Sequence, residues 1–255
     1  MKWPKHIFLL AVLFVCACAD AEELDTYLRN KGLVDISAQD SSIRVQLVYA
    51  TPDNFMGEAV YSGITRAWLH PDAAGKLIAA QRLLKKENPD LTLVVYDAAR
   101  PMSVQRKMWA LVRGTDKVNY VSNPANGGGL HNYGMAVDVT ILDKTGAPLP
   151  MGTPFDFFGE EAHTNNEEAL LDAGKIDRTA YDNRRLLRRI MRNAGFRIIP
   201  YEWWHYHEHS MDHTRRFLDL PDTPGIRVTA VYHHHRYPLG KTTFQDGSPC
   251  PDSFR

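Results

Sequence analysis

Two kinds of period run along this chain, and they do not alternate regularly. Residues 91–96 (Leu-Thr-Leu-Val-Val-Tyr) and 136–142 (Ala-Val-Asp-Val-Thr-Ile-Leu) are short, largely apolar and rich in β-branched side chains. Such runs suit buried strands. Residues 43–48 alternate apolar and polar side chains, which fits a half-buried strand, and 196–206 is aromatic-rich and β-like. Residues 179–194 instead repeat with a helical period. Leu186, Leu187, Ile190 and Met191 fall inward, a cluster of arginines falls outward, and Gly195 is placed as the C-terminal cap. A second helix starts at Pro71-Asp72, carries Ala73, Leu77, Ala80, Leu83 and Leu84 on one face, and stops at Asn88-Pro89-Asp90. A third opens at Pro101 and Ser103 and reaches about Arg113. Without a repeating strand–helix–strand order, the chain reads as a single α+β domain. Its sheet is expected to be antiparallel-rich and flanked by helices.

Composition narrows the function. The chain has 255 residues, 44% hydrophobic and 24% charged, with 30 basic and 30 acidic side chains. These proportions exclude a disordered or polytopic membrane chain. Zero net charge argues against a nucleic-acid binder that works by bulk field. Cysteines stand only at 16, 18 and 250, too few for a disulfide framework. A chain of this length can bury a core without one.

Residues 1–21 are expected to lie outside the fold. Lys2 and Lys5 precede a nine-residue apolar run from Ile7 to Val15, too short to span a bilayer as a helix. Ala19-Asp20-Ala21 then fits a small-x-small cleavage site, so the segment reads as an export signal. Val15-Cys16-Ala17-Cys18 also resembles a lipoprotein processing box, which would leave Cys18 lipidated. The protein is therefore expected in the periplasm, either free or as a membrane-anchored lipoprotein. Its boundaries read as a signal over 1–21, a domain over 22–222 and a C-terminal extension over 223–255.

Two segments carry chemistry. His131-Asn132-Tyr133-Gly134-Met135-Ala136-Val137-Asp138 offers an imidazole and a carboxylate, and Glu202-Trp203-Trp204-His205 offers another of each. Two His and one carboxylate can bind a catalytic zinc and leave a fourth position for water. A further carboxylate can then serve as base. Spacing alone leaves other readings open. A His beside a glycine loop is ordinarily a cap, an Asp at a strand start a turn residue, and His207, His209 and His213 compete with His205. No His-Glu-x-x-His, Gly-x-Ser-x-Gly or Gly-x-Gly-x-x-Gly segment occurs.

The combination is more specific than its parts. His131-x-x-Gly134-x-Ala136-x-Asp138 followed by Glu202-Trp203-Trp204-His205 resembles the VanX-type D-alanyl-D-alanine dipeptidases, zinc metallopeptidases with the fold of D,D-carboxypeptidases and hedgehog domains. Tyr49-Ala50-Thr51-Pro52-Asp53-Asn54-Phe55-Met56-Gly57, Asp97-Ala98-Ala99-Arg100-Pro101 and Met151-Gly152-Thr153-Pro154-Phe155-Asp156 match further segments of that family. The likeness runs from about residue 35 to about 220. It implies one zinc per subunit on His131, Asp138 and His205, with Glu202 as general base on a metal-activated water. Arg100 would stabilise the oxyanion. Asp156 would anchor the substrate ammonium, Tyr49 would support it, and Asp97, grouped with them, would orient nearby groups. Because strand neighbours alternate faces, Glu202 and His205 require a bend between them. The family usually has Ser at the position of Gly129, so a hydrogen bond near the peptide is lost there. His233, His234 and His235, and a strand-like stretch over 226–232, receive no role.

The implied activity is hydrolysis of D-Ala-D-Ala or a closely similar dipeptide in peptidoglycan metabolism. The partner is that small substrate, with no nucleic acid and no transmembrane domain. Two rivals remain. One is a D,D- or L,D-carboxypeptidase on longer stem peptides, and the other is a non-catalytic cell-wall or zinc-binding module.

Overall fold

The computed structural model describes residues 25–61 and 63–208. The export segment, all three cysteines, His209, His213 and the C-terminal extension lie outside the described residues. Five strands form the central sheet: β2 (Arg44–Val45), β4 (Thr92–Asp97), β5 (Ala136–Leu142), β6 (Arg197–Ile198) and β7 (His205–His207). Their order is β2-β4-β5-β7-β6, and only the β2–β4 pair is parallel. A separate antiparallel pair joins β1 (Val34–Asp35) to β3 (Trp68–Leu69). The fold is thus α+β with an antiparallel-rich sheet.

The apolar runs lie where their composition demands. β4 and β5 are central strands, and Leu93, Val95, Val137, Val139 and Ile141 are fully buried. The longest helices cover them. In α1 (Pro71–Glu87), the His70 ring accepts from the Asp72 N–H, Pro71 opens the first turn, and Leu77, Ala80 and Leu84 are buried. α2 (Met102–Val112) follows Pro101, the residue expected to open it. In α3 (Arg178–Asn193), Asp177 accepts from the Ala180 N–H, and Leu187, Ile190 and Met191 enter the core. Gly195 sits just beyond the cap residue Ala194 with φ +98°, the left-handed geometry that ends helices. α1 packs on α3 and on β4.

Three local expectations change. Residues 43–48 form only the two-residue β2, because the chain turns into a 3-10 segment, Val48–Ala50, that delivers Tyr49 to the interior. Residues 196–206 split into β6 and β7. The carbonyls of Ile199 and Pro200 turn aside to Thr164, which breaks the ladder between the two strands. One helix arginine does not point outward. Arg184 is buried, and its Nε donates to the Met151 carbonyl at 2.6 Å.

Candidate active site

The sheet register assembles most of the site. Asp97 lies opposite Asp138 across β4–β5, and Asp138 lies opposite His205 across β5–β7. Directly opposed residues share a face, so three strands present one polar row. His131 enters from the turn Leu130–Tyr133 just before β5. Gly134 makes that entry possible. It adopts φ +68°, and a Cβ there would stand 3.0 Å from the backbone nitrogen of His70.

Hydrogen bonding fixes the first imidazole. His131 Nδ1 donates to the Ala98 carbonyl at 2.8 Å, which leaves a lone pair on Nε2. That Nε2 faces Asp138 Oδ1 at 3.2 Å and His205 Nδ1 at 3.1 Å. His205 Nδ1 and Asp138 Oδ1 are 3.1 Å apart. Three electron-pair donors therefore converge, an arrangement that repels unless a proton or a cation sits among them. Ligands at about 2.0–2.2 Å around one tetrahedral ion stand roughly 3.3–3.6 Å apart, close to what is found. His131, Asp138 and His205 are the one such group among the described residues, and they fit a metal ion. Burial opposes the Asp138 charge, but the facing imidazoles hold its carboxyl well below the usual range. His207 stays outside the group. Its ring lies 5.5 Å from that of His205, and burial pushes it down to about 3, so it is neutral.

Glu202 stands beside this group, with Oε2 3.8 Å from His205 Nδ1. The chain bends between the two residues, and the tryptophans hold the bend. Trp203 Nε1 donates to Thr153 Oγ1 at 2.8 Å, and Trp204 packs edge-on against Phe155 at 5.3 Å. The Glu202 loop is thereby tied to the segment that carries Asp156. Burial pushes the Glu202 carboxyl well above its ordinary value, and the charges of Asp138 and Asp156 add to the push.

Arg100 is buried and held from two sides. Its Nε and Nη2 donate to Asp97 Oδ2 at 3.0 and 2.6 Å, and its Nη1 donates to Gln105 Oε1 at 3.1 Å. A guanidinium has five N–H donors, so donors remain on both Nη1 and Nη2. Asp97, grouped with substrate contacts on the sequence and also read there as orienting nearby groups, takes the second of these places. It is fully buried and lies outside the cavity lining. Its oxygens accept from Arg100, from the Ala98 N–H and, through a very short contact, from the Tyr61 hydroxyl. Asp97 positions Arg100 and cannot reach a substrate.

A cavity of about 360 Å³ joins these parts, with His131, Asp138, His205, Glu202, Arg100, Asp156 and Tyr49 in its wall. Asp156 has φ +61°, the sole non-glycine residue with positive φ among those described. Such strain is held only where the surroundings enforce it. Here Tyr49 Oη donates to Asp156 Oδ1 at 2.9 Å, and the Phe55 N–H reaches Oδ2 at 3.4 Å. Burial raises the Asp156 carboxyl to about 7 despite both donors. The arrangement gives three converging donors that fit a metal ion, an adjacent buried carboxyl, a free-ended guanidinium and a carboxylate lacking its cation.

Comparison with known proteins gives the same picture. A family model described as D-ala-D-ala dipeptidase, peptidase family M15, matches residues 29–223. The chain belongs to the M15 metallopeptidases. A protein from Escherichia coli K12 named D-alanyl-D-alanine dipeptidase is 34% identical over 174 residues, covering 68% of this chain and 83% of the relative. One of the same name from Enterococcus faecium is 30% identical over 200 residues, covering 70% of this chain and 92% of the relative. A third, from Enterococcus faecalis, is 28% identical over 196 residues, covering 69% of this chain and 91% of the relative.

Sequence reasoning passed over several residues of this M15 site. Tyr61 and Gln105 brace the Asp97–Arg100 pair, and the Ala98 carbonyl orients His131. Phe55, Phe158, Tyr120 and Tyr201 form an aromatic wall, with Tyr120 stacked on Phe158 at 4.7 Å. No periodic signal marks any of them.

Proposed function

We propose that this chain hydrolyses D-Ala-D-Ala, or a closely similar dipeptide, with one zinc ion held by His131 Nε2, Asp138 Oδ1 and His205 Nδ1. When bound, zinc supplies a Lewis acid that polarises the scissile carbonyl and acidifies water. The observation that carries the reading is the convergence of three lone pairs beside Glu202, in a cavity that also holds Arg100 and Asp156. Two neutral imidazoles and one carboxylate suit zinc better than calcium or magnesium, which favour oxygen ligands.

The residues then divide the work. The buried Glu202 carboxylate takes a proton from the attacking water and returns it to the nitrogen that departs when the C–N bond breaks. Its raised basicity favours the first of these transfers. Arg100 keeps N–H donors free for the oxyanion and, fixed by Asp97 and Gln105, needs no reorganisation to offer them. Asp156 takes the substrate ammonium, with the Tyr49 hydroxyl holding its carboxylate in place. A free amino terminus is thus matched to a carboxylate that lacks a cation. In a small cavity this favours a dipeptide over a longer chain. Export by residues 1–21 places the reaction outside the cytoplasm, in peptidoglycan metabolism.

Purified protein is tested on D-Ala-D-Ala with and without a chelator, beside a stem pentapeptide. The expected result is dipeptide turnover that stops on chelation and returns with zinc. Turnover that survives metal removal overturns the mechanism. Cleavage of the pentapeptide with none of the dipeptide overturns the substrate. Mass spectrometry of the mature N-terminus tests export, and an intact Met1 in the mature protein opposes it.

A further inference from the structure

Gly129 is a glycine for an unusual reason. Its neighbours Gly127 and Gly128 have φ +87° and +73°, where a side chain is strained. Gly129 has φ −115° and ψ 178°, ordinary extended backbone that any residue adopts. A side chain there meets Ser122 instead. A Cβ on Gly129 would stand 2.7 Å from Ser122 Oγ and 3.1 Å from Ser122 Cβ. The absent side chain leaves a slot in the cavity wall, and the Ser122 side chain fills it.

Ser122 is held there. Its carbonyl accepts from Gln105 Nε2 at 2.7 Å, and Gln105 Oε1 accepts in turn from Arg100 Nη1. Gln105 is itself buried. Ser122 lines the cavity together with Gly129, Arg100 and Gln105.

The contacts run in one order along the cavity. Tyr49 Oη donates to Asp156, the Arg100 guanidinium lies 5.3 Å over the Tyr49 ring, Arg100 reaches Gln105, and Gln105 holds Ser122. Asp156 is at one end of this run, Ser122 is at the other, and Arg100 lies between them. A zwitterionic dipeptide has the same order: ammonium, scissile carbonyl, carboxylate. We propose that the Ser122 hydroxyl binds the substrate's terminal carboxylate and selects for a free C-terminus. The assignment rests on the dipeptidase reading and adds to it the residue at the second end of the substrate.

The test uses full-length, zinc-loaded protein with D-Ala-D-Ala and its C-terminal amide, read as turnover or as competitive inhibition. Ser122→Gly should lower kcat/KM for the free acid about ten- to hundredfold, mainly through KM, the usual range for a hydrogen bond to a charged group. The same change should leave recognition of the amide within about twofold. The double variant Ser122→Gly/Gly129→Ser supplies a hydroxyl from the other side of the slot and should recover most of the loss. Equal losses on acid and amide, or no loss on either, overturn the role of Ser122 while leaving the dipeptidase reading intact. A wild-type protein inert on both compounds overturns both.

Discussion

Replacing Asp97 with Asn tests whether Arg100, the proposed oxyanion donor, is held from behind. The buried carboxylate accepts from Tyr61, from the Ala98 N–H at 2.9 Å, and from two nitrogens of Arg100 at 3.0 and 2.6 Å. An amide has one acceptor oxygen and one donor group. With its oxygen on Arg100, Tyr61 can turn to accept, but the Ala98 N–H is orphaned. In the reverse orientation the amide N–H faces the guanidinium. Either way the Arg100 charge loses its counter-ion while still buried. Breaking such a pair costs about 3–5 kcal/mol, which in a domain of this size lowers the midpoint by roughly 6–20 °C. Catalysis suffers separately. The nearest remaining carboxylate is Asp138 Oδ2, 3.9 Å from Arg100 Nη2, so the guanidinium is drawn toward it and away from the oxyanion. A misplaced oxyanion donor costs about 10²–10³ in kcat. Denaturant unfolding and steady-state kinetics on the zinc-loaded variant measure the two effects. Zinc content should hold, because His131 is oriented by the Ala98 carbonyl. In an Arg100→Met background the same Asp97→Asn change should cost little or even stabilise, since it then removes a buried unpaired charge. An Asp97→Asn variant with parental kcat, and stability within about 1 kcal/mol of the parent, refutes the bracing role.

Other outcomes follow from the same geometry. Glu202→Gln should retain stoichiometric zinc by elemental analysis and lose about 10²–10⁴ in kcat; a normal rate removes Glu202 as the base. Asp156, raised to about 7, must be ionised to hold an ammonium, so KM should fall as pH rises through about 7. Loss of the substrate's amine proton near about 8 then reverses the trend. Asp156→Asn keeps the left-handed backbone accessible and should flatten the low-pH limb, whereas an unchanged limb assigns that titration elsewhere. Stripping the metal should remove about 4 kcal/mol of stability at thousandfold saturation and lower the thermal midpoint with it. Identical scans with and without zinc would argue against a site on His131, Asp138 and His205.

Much of the fold is legible in the sequence because its elements obey local rules. Residues 136–142 read as a strand and are one, since a central strand is apolar on both faces. Asn88 and Gly195 end their helices as their chemistry dictates. Residues 43–48 and 196–206 read less well, because alternation does not reveal where a partner strand stops. Arg184 reads as an outward charge, and only the nearby Met151 carbonyl explains its burial. The metal-ligand candidates and Glu202 are legible because each half of the set is contiguous. Asp97 is legible as a site residue that orients its neighbours, but which neighbour it orients depends on its being sealed under Arg100.

Gly129 shows the limit most sharply. On the sequence it belongs to a flexible triplet, Gly127-Gly128-Gly129, and to a position where a hydroxyl is missing. In space the three glycines have different causes. Gly127 and Gly128 supply positive φ, Gly128 also lacks room beside Asn132, and Gly129, in ordinary extended backbone, supplies room alone. Room is a pairwise property: it has meaning only relative to Ser122, seven positions earlier on a loop pinned by Gln105. A missing side chain at one position and a hydroxyl at another are separate facts along the chain. They become one feature once Gln105 anchors the loop beside Arg100. Swapping the hydroxyl between positions 122 and 129 therefore asks whether the cavity requires a particular residue or only a donor at that place in its wall.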